Sequence, residues 1–321
     1  MAERSTVFLH TGRLKDVCVS KVRALTFVAL CAVTGLVYAG ASEDNSATLL
    51  HARYSSLQES LSDTEFRRPI RLESSDIDGS VTGDVYAVLD FPFAFTNEAL
   101  SPAASWCDVL LLHFNVKFCQ PTWNGDATTL DVAIGRKYDQ PLKKAYRVNF
   151  VYDVEARTSD YLHVRLNSSA GPLRTSNYRI VLEAVPLGSE RTFLHFSYAY
   201  DYGILGKLAM KAYLGTLGRN KVGFSEVGFE SNGQVRYIRG MRGAVERNAM
   251  RYYLAIEAFL GTLSAPQNAR WEPRLQHWFD AVERYPRQLH EMSRQEYLEM
   301  KRNEILRQEA AKTVPTERTA L

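Results

Sequence analysis

The sequence predicts an α+β fold, an antiparallel sheet wrapped on a long helix and followed by a helical C-terminal extension. Three observations carry this. Between Gly79 and Gly188, short runs alternate apolar and polar residues with the period of a strand that is wet on one face. From Arg191 onward, Leu194, Phe196, Tyr198 and Tyr200 fall on one face and Phe193, His195 and Ser197 on the other. At Asp201-Tyr202-Gly203 the period changes. From Ile204 to Asn220 the charges Lys207, Lys211 and Arg219 share one helical stripe, opposite Leu205, Ala209, Ala212 and Thr216. A strand runs into an amphipathic helix, and the earlier runs supply a sheet to wrap it.

The elements follow in order. Residues 42–78 form a polar lead-in with a loose helical pattern at Leu49, Leu50, Leu57 and Leu61, then an edge strand or linker from Arg67 to Ile77. Gly83 to Phe91 reads as a buried strand ended by Phe91-Pro92. Pro92–Leu100 and Pro102–Leu112 read as two short helices, each opened by a proline suited to a first turn. Strands are expected at Val116–Cys119, Thr128–Ile134, Tyr146–Tyr152, Leu162–Leu166 and Tyr178–Ala184, separated by Asn124-Gly125-Asp126, Gly171-Pro172 and Pro186-Leu187-Gly188. Beyond residue 230 lie a strand or loop at Val235–Ile238, helices around Ala244–Leu260 and Pro273–Tyr285, and a charged helix from Ser293 to Ala311. That last helix has a capping box at Ser293–Glu296 and an apolar stripe at Tyr297, Met300, Ile305 and Leu306.

This order resembles the helix-grip fold of the START/polyketide-cyclase superfamily. The local match is Val85–Cys119, where "VYAVLDFPF" and "ALSPAASWCDVLLLHFNVKFC" resemble the first strand, helix pair and second strand of such domains. The resemblance spans about Gly79 to Phe229 and divides the chain into a leader (1–41), a lead-in (42–78), the grip domain (79–229), a helical extension (230–311) and a disordered tail (312–321). It implies a lipid, sterol or other apolar molecule held between sheet and helix, with cyclase or hydrolase activity in some members. The chain departs from the family's common pattern in its leader and its extension.

The leader is read from Lys21 and Arg23, the uncharged run Ala24–Ser42, and Ala39-Gly40-Ala41 before the polar Ser42-Glu43-Asp44-Asn45. A cleaved signal peptide, an uncleaved anchor and a buried helix are the readings, and the first two export the rest of the chain to the periplasm or beyond. Without residues 1–41 the chain loses five of its 39 basic and two of its 36 acidic residues, which leaves the two signs balanced. A neutral chain makes no electrostatic case for nucleic-acid binding. The cysteines left, Cys107 and Cys119, are either a disulfide or two small buried hydrophobes.

No cofactor and no metal is expected. The sequence has no H-E-x-x-H, G-x-S-x-G, P-loop, G-x-G-x-x-G or C-x-x-C. His51, His113, His163, His195, His277 and His290 are scattered, and His163 and His195 read as hydrogen-bonded sheet histidines rather than catalysts. The run Arg236, Arg239, Arg242, Arg247 and Arg251 reads as a solvated face or an anionic-lipid contact. The aromatic residues Tyr146, Phe150, Tyr152, Tyr178, Phe196, Tyr198 and Tyr200 would share one side of the sheet, facing Leu205, Leu208, Ala209 and Met210 of the helix. They either fill a core or line a cavity. Buried phenols need partners, so several inward tyrosines favour a pocket with polar spots. The expected function is thus an exported binding protein for a lipid or other apolar small molecule. The alternatives are a hydrolase or cyclase using a histidine such as His195, and a scaffold whose helical tail binds a protein partner. Membrane association is the remaining partner this pattern admits.

Overall fold

The computed structural model describes residues 37–125, 127–204, 206–208 and 220–313, with the backbone alone at 37–44, Asn124, Lys312 and Thr313. The leader up to Leu36, most of the Ile204–Asn220 segment and the tail beyond Thr313 lie outside the described residues.

Strands β1 (Ile70–Ile77), β2 (Ser80–Leu89), β3 (Val116–Asn124), β4 (Ala127–Ile134), β5 (Tyr146–Arg157), β6 (Leu162–Ala170), β7 (Thr175–Leu187) and β8 (Arg191–Tyr202) form one sheet. Their order is β1-β2-β8-β7-β6-β5-β4-β3, and every pair is antiparallel. The two short helices, α2 (Phe93–Leu100) and α3 (Ala103–Leu111), sit between β2 and β3 as the prolines predict, with Pro92 and Pro102 at their N-caps. The lead-in contributes β1, which pairs with β2, and α1 (Val37–Ser62). From Ala47 onward α1 lies on the outer face of the sheet, where Leu50, Leu57 and Leu61 meet Val88, Tyr161, Val185 and Phe193 in a small second core. A separate hairpin, β9 (Glu226–Phe229) with β10 (Val235–Tyr237), follows.

Among the described residues, the long helix on the inner face is α4 (Gly240–Leu260), a segment the sequence reading assigns to the extension. The reason lies in its composition. Its apolar residues are spread round the helix, with Val245, Ala249 and Tyr252 toward the sheet and Leu254 and Ala258 on other sides, and Glu246, Arg247 and Arg251 are buried among them, so no solvated stripe marks one face. Gly83 admits it: a Cβ there would meet the Val245 carbonyl at 3.1 Å and the Ala249 Cβ at 3.2 Å. Residues 230–311 therefore share one core with residues 79–229, and the expected boundary at 229 separates no two cores. No helix among the described residues is long and apolar enough to cross a membrane.

The other helices complete that core. After α5 (Trp271–Glu283) and the single turn α6 (Pro286–Leu289), α7 (Arg294–Thr313) covers the edge strand β3. Its N-terminus carries the expected capping box, with the Ser293 N–H bonded to Glu296 Oε2 at 2.8 Å and the Glu296 N–H to Ser293 Oγ at 3.3 Å. An exposed sheet edge needs partners, and α7 provides them from its side chains. Gln308 accepts the Cys119 N–H at 3.1 Å and donates to its carbonyl, Lys301 donates to Val116 at 2.8 Å, and Tyr297 donates to Leu112 at 2.9 Å. The stripe expected to be offered to a partner is thus buried against the chain itself at Tyr297, Met300 and Ile305; Leu306 alone stays 64% exposed.

Cys107 of α3 and Cys119 of β3 are bonded, with their Cα atoms 5.1 Å apart and a sequence separation of 12. Closing so short a loop stabilises by about 3 kcal/mol through the unfolded chain. The Cys107→Ala/Cys119→Ala variant should lose about that much in urea denaturation, and an unchanged midpoint would show that the bridge constrains nothing.

Candidate functional site

The inner face is graded along the strands. At the α2–α3 end it is aliphatic, with Leu162, Ala184, Leu194 and Ala87 in one row. Phe196 lies one step on, paired with Leu182 and Val85. At the opposite end come the tyrosines. Tyr198 pairs with Ile180 and Gly83, Tyr200 with Val81, and Tyr178 with Ser168. Tyr178 and Tyr200 stack at 5.3 Å, Tyr198 packs edge-on to both, and Tyr252 of α4 reaches Tyr198 at 5.4 Å. Phe150 closes the cluster edge-on to Tyr178 at 6.3 Å. Gly171 makes room, since any Cβ there would collide with the Tyr178 ring.

The Tyr178 and Tyr198 phenols are hydrogen-bonded to each other. The Tyr178 phenol shares a 2.7 Å bond with Thr175 Oγ1, and the Tyr152 phenol donates to the Ser101 carbonyl. Burial raises the pKa values of Tyr178, Tyr198, Tyr200 and Tyr252, with Tyr178 pushed up to about 12. The phenols therefore stay neutral and able to donate. Tyr152, Tyr178, Tyr198 and Tyr252 each keep 6–8% of their surface exposed, whereas Phe196 in the next row keeps none. The described surface depressions lie elsewhere, around Asp139, Gln140, Pro141 and Arg307.

Of the expected site residues, Phe150, Tyr152, Tyr178, Phe196, Tyr198 and Tyr200 come together on the inner face. Tyr146 has the inward register but sits at the first position of β5, past the covering elements, and is 45% exposed. Leu208 is 65% exposed and lines nothing inside. Leu205, Ala209 and Met210 lie outside the described residues. The partner facing the aromatic rows is Tyr252, which the sequence reading leaves out although it falls on the Val245–Ala249–Tyr252–Ile256 stripe.

Of two further expectations, the hydrogen-bonded sheet histidine is met and the single arginine face is corrected. His195 belongs to the outer face, because it alternates with Phe196. There it stacks on Tyr86 at 4.4 Å and bridges Glu183 Oε2 at 2.9 Å and Asp84 Oδ1 at 3.0 Å, so it cannot serve chemistry in the grip. The arginine run forms no single face: Arg247 and Arg251 are buried, with Arg247 donating to the Val222 carbonyl, while Arg236 and Arg239 are exposed.

No protein-family model matches the chain, and no curated protein matches it. Solved structures similar to it include human StAR-related lipid transfer protein 5, at 11% identity and TM-score 0.28 over 50% of this chain and 83% of that one. Another is norcoclaurine synthase from Thalictrum flavum in complex with dopamine and hydroxybenzaldehyde, at 15% identity and TM-score 0.30 over 44% and 82%. A conserved protein from Geobacillus kaustophilus gives 14% and 0.29 over 43% and 85%. The order of the strands, with a helix pair between β2 and β3 and a long helix on the inner face, decides the architecture. This is an α+β helix-grip fold. In this helix-grip chain β1 adds an extra edge strand, α1 covers the outer face, and α7 covers β3.

Proposed function

We propose that the chain binds an apolar or amphipathic small molecule, such as a lipid, against the tyrosine end of the inner face. The observation that carries this is the concentration of Tyr178, Tyr198, Tyr200 and Tyr252 at one end of the inner face, away from the aliphatic row of Leu162, Ala184, Leu194 and Ala87. A core that only had to be filled would use Phe or Leu, since a buried hydroxyl without a partner costs roughly 1–3 kcal/mol. Aliphatic rows beside neutral phenols suit a ligand with an apolar body and a hydrogen-bonding end. Tyr178→Phe/Tyr198→Phe should leave the melting temperature within a few degrees and weaken a dansyl-labelled fatty acid by about tenfold, the worth of one to two hydrogen bonds. Equal affinity in wild type and variant would remove the phenols from the site.

The leader pattern supports export as a second element of this reading. N-terminal sequencing of the chain from membrane and soluble fractions tests it: a start near Ser42 is expected, and intact Lys21–Arg23 on membrane-bound protein would make it an anchor.

A further inference from the structure

The loop between β4 and β5 is held in one shape and tied to α7. At its start the Gly135 N–H donates to the Asn115 carbonyl at 2.7 Å, and Asn115 Nδ2 donates back to the Gly135 carbonyl at 2.6 Å. Gln140 is 7% exposed and folds back over the loop, where its Oε1 accepts the Arg136 N–H at 3.0 Å. Gly135 leaves room for that fold, since a Cβ there would lie 2.5 Å from Gln140 Nε2. Arg307 of α7 holds the Asp139 carboxylate and donates to the Gln140 carbonyl at 2.8 Å.

Two recesses lie along this loop and share Asp139, Gln140 and Pro141. One, of about 340 Å³, is lined also by Arg136, Tyr138 and Lys144. The other, of about 460 Å³, is lined also by Asn303, Leu306 and Arg307 of α7, and it contains the exposed member of the α7 stripe, Leu306. The first recess is rich in donors. Arg136 Nη1 donates to the Tyr138 phenol at 2.7 Å, with the guanidinium 5.8 Å from the ring centroid, which fixes the fork and leaves the phenol proton to donate elsewhere. Lys144 adds an ammonium. The carboxylate on this lining, Asp139, is spent on Arg307, and no salt bridge among the described residues takes up Arg136 or Lys144. Gln140 Nε2 is buried with no hydrogen-bond partner, and native interiors leave few such donors unmet.

We propose that these joined recesses bind a small organic carboxylate, its anionic end between Arg136 and Lys144 and its apolar body over Pro141 toward Leu306. A guanidinium fork matches the plane of a carboxylate, and an ammonium beside it adds a second charge-assisted bond. Because Tyr138 already orients Arg136, little side-chain freedom is lost on binding. The volumes suit a molecule of a few carbon atoms, and the rigid loop presents them ready-made. The site uses no residue of the inner face, so it stands apart from the carrier reading.

The test is calorimetric titration of the purified chain with acetate, hexanoate and the neutral hexanamide at fixed ionic strength. Hexanoate is expected to bind saturably, about fivefold tighter than either acetate or hexanamide. Arg136→Gln/Lys144→Gln should weaken hexanoate by about fivefold, and Leu306→Ser should bring it to the level of acetate. All three side chains are exposed, and circular dichroism confirms that the variants fold. The Tyr178→Phe/Tyr198→Phe variant should keep the affinity of wild type for hexanoate, which separates this site from the inner face. No saturable binding of hexanoate, equal binding by wild type and the Arg136/Lys144 variant, or loss in the tyrosine variant overturns the proposal. None of these outcomes contradicts binding at the inner face.

Discussion

Replacing Glu304 by leucine should destabilise the fold by roughly 3–5 kcal/mol, the usual cost of leaving a buried charge without its partner. Glu304 is fully buried between two fully buried lysines, with Lys117 Nζ 2.8 Å from Oε1 and Lys301 Nζ 2.7 Å from Oε2. Each lysine also spends donors on backbone carbonyls, Lys117 on Phe114 at 2.9 Å and Lys301 on His113 at 2.6 Å. Burial is the largest influence on Lys301 and brings its pKa down to about 8 even with Glu304 opposing it. Without Glu304, both ammonium groups would have to deprotonate or drag α7 off the β3 edge. Urea denaturation measures the loss. The triple variant Lys117→Met/Lys301→Met/Glu304→Leu should recover most of it, because an apolar replacement of a whole buried ion cluster is often neutral or better. A single Glu304→Leu variant within 1 kcal/mol of wild type would mean that α7 is not seated on β3.

His195→Leu should cost about 3 kcal/mol below neutral pH and much less above pH 9. The imidazole bridges Asp84 of β2 and Glu183 of β7, and Glu183 also accepts the Tyr161 phenol at 2.6 Å. Burial lowers the histidine's pKa, but the hydrogen bonds and charges of Asp84 and Glu183 outweigh it and raise the group to about 9. The folded state therefore holds a proton that the unfolded chain releases near pH 6.5. The stabilisation is complete below that value and is lost as pH rises through 9. Chemical denaturation of wild type and variant at pH 6, 8 and 10 gives the difference directly. A gap that widens with pH would mean that the histidine is held neutral.

The strands were legible because alternation survives wherever one face is buried, as in Leu162, Val164 and Leu166 of β6. Both proline-capped helices were legible for the same local reason. The gripped helix was not. Charge on one stripe marks Ile204–Asn220 as amphipathic, and its position after β8 makes it the expected partner of the sheet. A helix held between a sheet and other helices loses that one-sided pattern, as α4 does, and so resembles part of an extension. The tail misled in the opposite sense. Lys301 and Glu304 look like solvated charges until Lys117, far away in sequence, is placed on the other side of Glu304. Among the site residues, register alone cannot tell that Tyr146 stands at the end of its strand beyond cover, whereas Tyr178 and Tyr200 were findable from the face they share.

The central claim is that the tyrosine end of the inner face holds a small apolar or amphipathic molecule. Native mass spectrometry of the purified chain, beside an organic-solvent extract of the same sample, tests it most directly. The account predicts a mass above that of the polypeptide under native conditions, the bare mass after denaturation, and the difference recovered in the extract. A bare mass under native conditions, together with no uptake of the dansyl-labelled fatty acid, would contradict it and make the tyrosine cluster simply core.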